Sequence, residues 1–133
     1  EAEMVMPVVD SVKMQGLSHV VHTSISENNE GERCMVPLKM LDKLNALQNQ
    51  PQRISAIKID VENFEYFVLD GARNILIKHK PIVYAELWDN DNRKHCFNLF
   101  KELNYNTFIV VEKKLVKFDL IMHKTQNFIF MPA

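Results

Sequence analysis

Three carboxylates close two apolar stretches of the chain, and their positions could support acid–base chemistry. Asp60 and Glu62 stand at the end of the segment 54–61 and just beyond it, and Glu86 stands near the end of the segment 81–88. Carboxylates at such positions can accept hydrogen bonds from hydroxyls or amines, act as a base, or hold a cation. Two close carboxylates also raise the pKa of one of them, which suits a general base. Asp60, Glu62 and Glu86 are therefore the candidate catalytic residues.

A structural role competes with this interpretation. Asp60 could cap the helix that follows, and Glu62 and Glu65 could favour its positive N-terminus. For Glu65 the structural role is the preferred interpretation. For Asp60 and Glu86 the functional one is preferred, because ligands of open α/β sheets sit beyond the carboxyl ends of the strands.

Two further residues are candidates for contact with a substrate. Lys58 lies inside an apolar run and, two residues before Asp60, shares a strand face with it. An internal ion pair and a ligand contact are both compatible with that position. Trp88 could line a pocket, although a core position is the common alternative for tryptophan.

Metal and cofactor motifs are not found in the sequence. His19 and His22 are three residues apart, so on a strand they would face opposite ways, and no third ligand accompanies them. The chain has 3 glycines, and they are widely separated. A nucleotide-binding loop needs clustered glycines for a tight turn close to the ligand, so cofactor-binding residues stay unassigned.

The order of predicted elements places these residues at one edge of a sheet. Apolar segments at 54–61 and 81–88 predict strands covered on both faces, as in a parallel sheet. An apolar stripe from Phe64 to Leu76 predicts a helix that Gly71 could break. Residues 1–16 show no clear hydrophobic period. Alternating elements of this kind predict an α/β fold with a mainly parallel sheet. The other predicted elements are strands at 19–26, 106–111, 115–118 and 127–132, helices from about 38 to 47 and through 96–103, and a C-terminal hairpin turning at 112–114.

Composition bounds the class of protein. At 133 residues, 47% hydrophobic and 25% charged, residues 1–133 are expected to form a single domain. A formal net charge of −1 argues against nucleic acid or an anionic membrane surface as a partner. No apolar run approaches the roughly 20 residues of a spanning helix, and the acidic N-terminus is unlike a signal peptide. Cys34 and Cys96 are far apart, which indicates reduced thiols and a cytoplasmic location.

Several of these segments resemble a known family in order and in spacing. Residues 58–65, KIDVENFE, are similar to the Lys-x-Asp-x-Glu-Gly-x-Glu motif of FkbM-type methyltransferases, and VLDGA at 68–72 follows as in the family. The resemblance covers residues 17–133 and is strongest at 36–88, in the part that corresponds to the family's C-terminal half. Asn63 stands where the family has Gly, and Asn tolerates unusual backbone angles. The turn is therefore expected to survive.

The resemblance implies transfer of a methyl group from S-adenosylmethionine to a hydroxyl of a small molecule or glycan. It also implies a Rossmann-like sheet that lacks the family's first strands and glycine-rich loop, and so most of the surface that binds the methyl donor. A non-catalytic remnant that binds a partner or ligand is the alternative, and a metal-dependent enzyme of another class is the third possibility. Because the strand at 54–61 would become a bare edge, a homodimer or a partner completing the sheet is expected, which light scattering would test.

Overall fold

The computed structural model describes residues 1–25, 27–48 and 52–133, and their strands form two sheets. The smaller sheet contains β1 (Ala2–Val9), β2 (Val12–Lys13), β3 (His19–Val20) and β4 (Gly31–Val36). The chain continues through α1 (Asn45–Gln48), β5 (Ala56–Ile59), α2 (Glu65–Asp70), α3 (Arg73–His79), β6 (Ile82–Glu86), α4 (Asp91–Glu102), β7 (Tyr105–Val111), β8 (Lys114–Lys117) and β9 (Asn127–Pro132).

The smaller sheet was not expected from the sequence, except that β3 coincides with the first two residues of the strand predicted at 19–26. Its centre is β1, which pairs antiparallel with β2, β3 and β4. The pairing with β4 joins Ala2 to Val36 and Pro7 to Gly31. A side chain at Gly31 would clash with the backbone oxygen of Met6, so only glycine allows the two strands to approach this closely.

The larger sheet has the strand order β5-β6-β9-β7-β8. The prediction of a mainly parallel sheet is not confirmed, because among the described residues β5 and β6 form a parallel pair and the other three pairs are antiparallel. The physical reason is that β9 lies between β6 and β7 and runs against both. The strands β5, β6 and β7 therefore share one direction without all being neighbours. The position of β5 at the edge is the one expected for the strand at 54–61, while pairing of that edge with another chain stays a prediction.

The predicted helix after Phe64 is broken into α2 and α3 at Gly71, as the position of that glycine indicated. The second helix has its own N-terminal cap from a distant residue. The carboxylate of Asp42 accepts hydrogen bonds from the backbone N–H groups of Asn74, at 2.9 Å, and Ile75, at 3.0 Å. These bonds satisfy donors that the start of a helix leaves free.

The same contact explains why the predicted helix at 38–47 is wrong. Met40 and Leu44 are extended, and a single 3-10 turn over Leu41–Lys43 separates them. This turn presents Asp42 to α3, so a tertiary contact overrides the helical pattern of the segment. Only Asn45–Gln48 is α-helical there, and residues 49–51 lie outside the described residues.

The core lies on one face of the larger sheet. The helices α2, α3 and α4 contribute Leu69, Leu76 and Phe100 to a buried cluster with inward residues of the sheet such as Phe128 and Phe130. The prediction that the strands at 54–61 and 81–88 are covered on both faces is not confirmed. In the part of the chain that the structure describes, the opposite face is open, and Ile82, Tyr84 and Val110 are exposed there.

Several turns agree with the sequence. The side chain of Asn90 caps α4 by accepting a hydrogen bond from the N–H of Arg93 at 3.2 Å. Asn104 has a left-handed φ of 61° after the end of that helix, as its residue type indicated. Glu112 and Lys113, with φ of 49° and 64°, form the predicted hairpin turn between β7 and β8.

No helix in the described ranges has the length and apolarity needed to cross a bilayer. Both cysteines are free, Cys34 at the surface and Cys96 in the core. Burial raises the pKa of the Cys96 thiol to about 12, so this thiol is a packing group and not a nucleophile.

Candidate active site

The parallel pair β5–β6 brings two of the predicted residues to one sheet edge. Ile59 pairs with Ala85 in the register. Asp60 follows β5 directly and Glu86 is the last residue of β6, so the two residues lie at the same level of neighbouring strands. The predicted pairing of the two strands is confirmed, but a cleft shared by both carboxylates is not, because Glu86 is not among the residues that line the cleft at Asp60.

A cleft of about 430 Å³ opens beside the end of β5, against the smaller sheet. Asp60 and Glu62 lie in its wall together with His19. The other lining side chains are mostly apolar and come from the smaller sheet, from the segment after β4, from the turn after β5 and from α2, among them Met4, Val20, Leu38, Phe64 and Val68. Volumes of roughly 300–1,000 Å³ with few polar groups in an apolar wall are typical of small-molecule sites.

A tight turn delivers Glu62 to this cleft. Glu62 and Asn63 both have left-handed backbone angles, with φ of 49° and 68°, and the N–H of Phe64 donates to the oxygen of Val61 at 3.2 Å. The family motif has Gly at position 63, and Asn is among the few other residues that adopt this conformation readily. The turn survives the replacement, as expected from the sequence.

Asn63 is also the centre of a buried hydrogen-bond network. Its amide donates to the carboxylate of Glu27 and accepts from the amide of Asn90. Its backbone oxygen accepts from the amide of Asn92 at 3.1 Å. The network ties the turn to α4 and to the loop before β4, so the carboxylate of Glu62 is carried on a rigid support.

Glu65 has a structural role, as the sequence analysis preferred. Its side chain is 2% exposed, and its carboxylate accepts a hydrogen bond from the N–H of Val61 at 3.0 Å. It is the first residue of α2, where a negative charge is favourable. Burial raises its pKa, and hydrogen bonds from backbone N–H groups offset part of that rise.

Glu65→Gln should change how stability depends on pH. A carboxyl whose pKa is raised by folding binds more protons in the folded than in the unfolded state. Its contribution to the free energy of unfolding therefore falls as the pH rises from its ordinary pKa of 4.5 through the raised value. Gln does not titrate, so the stability of the variant does not fall for this reason. The variant should therefore gain stability relative to the wild type as the pH rises through this range.

Denaturant unfolding between pH 4 and pH 8 measures the effect. Glu30→Gln is a matched control, because Glu30 is exposed. Parallel stability curves for the wild type and Glu65→Gln would show that burial of Glu65 does not perturb its titration.

Glu62 combines accessibility with a perturbed carboxyl. Its side chain is half-buried in the wall of the cleft. Burial raises its pKa, and the negative charges of Asp60, Glu65, Glu86 and Glu27 raise it further. A carboxyl shifted upward in a cleft is a candidate general base.

Lys58 forms an ion pair with Asp60, which is one of the two roles that its position allowed. Its ammonium lies 2.9 Å from the carboxylate of Asp60, and the hydrogen bond and charge of Asp60 raise the pKa of Lys58. Both side chains are exposed, so the pair contributes little to stability. Asp60 does not cap α2, whose N-cap position, Phe64, makes no side-chain hydrogen bond. Its side chain instead faces the cleft and Lys58.

Glu86 and Trp88 lie outside the wall of the cleft. Glu86 is half-buried at the end of β6, and its negative charge acts on both Glu62 and Lys58. Trp88 is 37% exposed in the segment after β6. The structure thus brings Asp60 and Glu62 together in the cleft, with Lys58 bound to Asp60, and leaves Glu86 and Trp88 beside it.

His19 is the cleft residue that sequence reasoning missed. In the sequence, its spacing from His22 raises only the question of a metal site. Its side chain is 3% exposed and lines the cleft. No group of three or more His, Cys, Asp or Glu side chains in the described ranges could hold a metal ion. The signal that was available is a polar residue within the β-branched run at 19–21.

Comparison with known proteins identifies the family. The model of the methyltransferase FkbM domain matches residues 6–123, which include the lining of the cleft except Met4, both sheets in large part and the turn at Glu62 and Asn63. The resemblance stated from the sequence is confirmed, and the match begins earlier than residue 17 and ends before β9. Neither a curated protein nor a solved structure matches the chain significantly. The chain belongs to the methyltransferase FkbM domain family.

Proposed function

We propose that the chain takes part in O-methyl transfer from S-adenosylmethionine to a hydroxyl, and that the cleft at the end of β5 binds the hydroxyl-bearing acceptor. The observation that carries the proposal is the presence of two carboxylates, Asp60 and Glu62, in the wall of that cleft in a chain of a methyltransferase family. Methyl transfer to oxygen depends on positioning the acceptor and on removal of its hydroxyl proton.

The chemistry of the cleft favours a small polyhydroxylated molecule or a glycan as the acceptor. Its carboxylates accept hydrogen bonds, so they suit a ligand rich in hydroxyl donors. Its remaining wall is mainly apolar, with Met4, Leu38 and Phe64 among the lining residues. A sugar ring presents hydroxyls at its edge and C–H groups on its faces, which matches both parts of the wall.

The residues would divide the work as follows. Glu62 receives the hydroxyl proton, because its carboxyl is accessible and its pKa is raised. Asp60, held by Lys58 at 2.9 Å, orients a neighbouring donor of the acceptor. Glu86 supplies negative charge beside them without direct contact, and Trp88 is a candidate for the outer part of a longer acceptor.

The described residues do not build a cradle for the methyl donor. Such a cradle needs glycines where the backbone approaches the ligand. At Gly31 that space is filled by the backbone of Met6, and at Gly71 it is bounded by Phe67 and Met40, while Gly16 faces open space as a single glycine. The residues that would hold the methyl donor are therefore unassigned.

The proposal is tested by calorimetry with S-adenosylmethionine, followed by transfer of a labelled methyl group to a panel of monosaccharides and oligosaccharides. Binding of the donor together with label in an O-methyl product is the expected result. Binding of sugars with neither donor binding nor transfer would contradict it and would indicate a ligand-binding remnant.

The expected setting of the protein goes with this proposal. The two free thiols fit a reducing compartment such as the cytoplasm. We also propose that the edge of β5 pairs with a second copy of the chain or with a partner that extends the sheet, because an unpaired apolar edge favours such pairing.

A further inference from the structure

We infer that the loop between β8 and β9 attaches the protein to the surface of an anionic lipid bilayer, with Leu120, Ile121 and Met122 inserted among the lipids. These three residues are called the apolar tip. The inference goes beyond the proposed function, because it assigns a partner to a surface outside the cleft and does not depend on methyl transfer.

The side chains of the apolar tip lie almost entirely in water. Leu120 is 75% exposed, Ile121 93% and Met122 79%, more than any other large hydrophobic side chain that the structure describes. Single exposed hydrophobic residues are normal, but adjacent ones mark a surface that binds a partner or a membrane. Because the three residues are consecutive, they form one patch.

The backbone of the apolar tip is already hydrogen-bonded within the loop. The carboxylate of Asp119 accepts hydrogen bonds from the N–H groups of Ile121, at 2.8 Å, and Met122, at 3.0 Å. The N–H of His123 donates to the backbone oxygen of Asp119 at 3.0 Å. Entry into lipid is costly for backbone groups that lose water without gaining a partner. These three N–H groups have partners, so the cost of insertion is reduced.

The base of the loop is anchored to the core. The N–H of Asp119 donates to Nδ1 of His123 at 3.0 Å, which closes the loop. The ring of Phe118, the residue before Asp119, lies 5.5 Å from the ring of Phe97 and 5.1 Å from that of Phe128. The apolar tip is therefore held in place as a projection from the larger sheet.

The charges beside the apolar tip favour an anionic surface. Lys117 and Lys124 flank it and are exposed, and Asp119 is the one acidic residue between them. The formal net charge of −1 argues against overall attraction to such a surface, but a bound loop responds to charges within a Debye length of about 8 Å. Lysine can lay its apolar stem along lipid while its ammonium contacts anionic headgroups.

A lipid surface suits the apolar tip better than a protein partner does. At 93% exposure, Ile121 projects beyond its neighbours, so a protein partner would need a pocket shaped to receive it. A bilayer needs no such pocket, because its lipids rearrange around the inserted side chains. The two free thiols fit a reducing compartment, and the cytoplasmic leaflet of cell membranes carries anionic phosphatidylserine.

Co-sedimentation with lipid vesicles is the primary test. The wild-type chain is mixed with vesicles of pure phosphatidylcholine and with vesicles that contain about one-third phosphatidylserine. It should bind the anionic vesicles at least about tenfold more tightly. No binding to the anionic vesicles, or equal binding to both compositions, would overturn the inference, and the first of these results would direct the search to a protein partner.

Replacing the apolar tip tests its part in binding. The triple variant Leu120→Thr, Ile121→Thr, Met122→Thr should bind anionic vesicles about 10²-fold more weakly. Its melting temperature should stay that of the wild type, because the replaced side chains are exposed. Wild-type affinity in the triple variant would contradict the inference.

The matched control for the tip is a triple variant at exposed apolar positions in the strands β2, β4 and β7. It carries Val12→Thr, Met35→Thr and Val110→Thr, and these side chains are 60%, 63% and 61% exposed. Its vesicle affinity should equal that of the wild type. A loss as large as that of the tip variant would show that binding follows total exposed apolar surface and not the loop.

Neutralising the lysines tests the electrostatic contribution. Lys117→Gln with Lys124→Gln should weaken binding to anionic vesicles by about 10- to 30-fold and leave binding to phosphatidylcholine unchanged. Lys39→Gln with Lys78→Gln removes the same charge at exposed positions in other segments and should have little effect. Equal losses for the two pairs would assign the attraction to net charge instead of the loop.

A tryptophan at the apolar tip reports insertion directly. The chain has 1 tryptophan, so Ile121→Trp in a Trp88→Phe background leaves the tip as the source of emission. On anionic vesicles this emission should shift to shorter wavelength and be quenched by lipids brominated in their acyl chains. Val12→Trp in the same background is the control and should show neither change. An unquenched tip tryptophan on vesicle-bound protein would refute insertion.

Discussion

Glu62→Gln should lower the saturated rate of methyl transfer by about 10²- to 10⁴-fold, the range by which a positioned general base contributes. Gln keeps the size of the side chain and its ability to accept a hydrogen bond, but it cannot take a proton at neutral pH. The loss should appear mainly in kcat, because the acceptor hydroxyl still finds a partner at this position.

Two further variants test whether the loss of rate is specific to Glu62. Asp60→Asn should lower the rate less, since Asp60 is an exposed carboxylate already paired with Lys58. Glu86→Gln should have the smallest effect, because Glu86 acts on the cleft only through its charge. The opposite ranking, with Glu86→Gln the most damaging, would move the chemistry to the end of β6.

The pH profile gives an independent check on Glu62. Burial and the surrounding negative charges raise the pKa of its carboxyl above the ordinary value of 4.5. The deprotonated carboxylate is the active form, so the rate of the wild type should rise with pH as Glu62 ionises. In Glu62→Gln that rise should be absent. A rise that persists in the variant would assign the titration to another group.

Asn63→Ala is expected to cost about 2–5 kcal/mol of unfolding free energy. Its amide would no longer bind Glu27 and Asn90, and leaving buried polar groups without partners costs roughly 1–3 kcal/mol. Alanine would also have to adopt the left-handed φ of 68°, at a further cost of about 1–2 kcal/mol.

Asn63→Gly separates these two contributions. Glycine, the family's residue here, adopts the left-handed conformation without the steric cost, but it cannot make the side-chain hydrogen bonds. It should therefore cost about 1–2 kcal/mol less than Asn63→Ala. Urea unfolding of the three proteins measures both values. Equal costs for Ala and Gly would mean that the turn is not held in the left-handed conformation.

Local signals explain why most of the larger sheet could be predicted. The segment 127–132 coincides with β9, and the predicted strands at 54–61 and 81–88 contain β5 and β6. Asn90, Asn104 and the pair Glu112 and Lys113 mark helix and hairpin ends through preferences that operate within a few residues. The adjacency of Asp60 and Glu86 followed from the rule that consecutive strands of an α/β unit tend to be neighbours.

The rest of the fold depends on long-range contacts that have no local signal in the sequence. The strand β1 pairs with β4 across some thirty residues, and residues 1–16 show no clear period that would indicate a strand. The predicted helix at 38–47 is not formed, because Asp42 caps α3. The hydrophobic period within the segment gives no sign of this contact. The direction of β9 could not be predicted either, because the pattern of residue types does not distinguish a parallel from an antiparallel neighbouring strand.

The candidate site also has residues that could be predicted from the sequence and residues that could not. The carboxylates Asp60 and Glu62 could be predicted because motif and strand end coincide. Glu86 was placed at the correct edge, but the wall of the cleft is completed by β3 and not by β6. The polar character of His19 in a β-branched run is visible in the sequence, but its place in the cleft is not, because β3 reaches the end of β5 through the smaller sheet.

The insertion of β9 between β6 and β7 has a consequence for how the protein matures on the ribosome. The strands β6 and β7 precede β9 in the chain, so the strand that joins them is synthesised after every other strand of that sheet. Without β9, the pairs β5–β6 and β7–β8 are not connected to each other, and the core positions of Phe128 and Phe130 are unfilled. Closure is then a single late event, and chaperones that shield apolar slots would act before it.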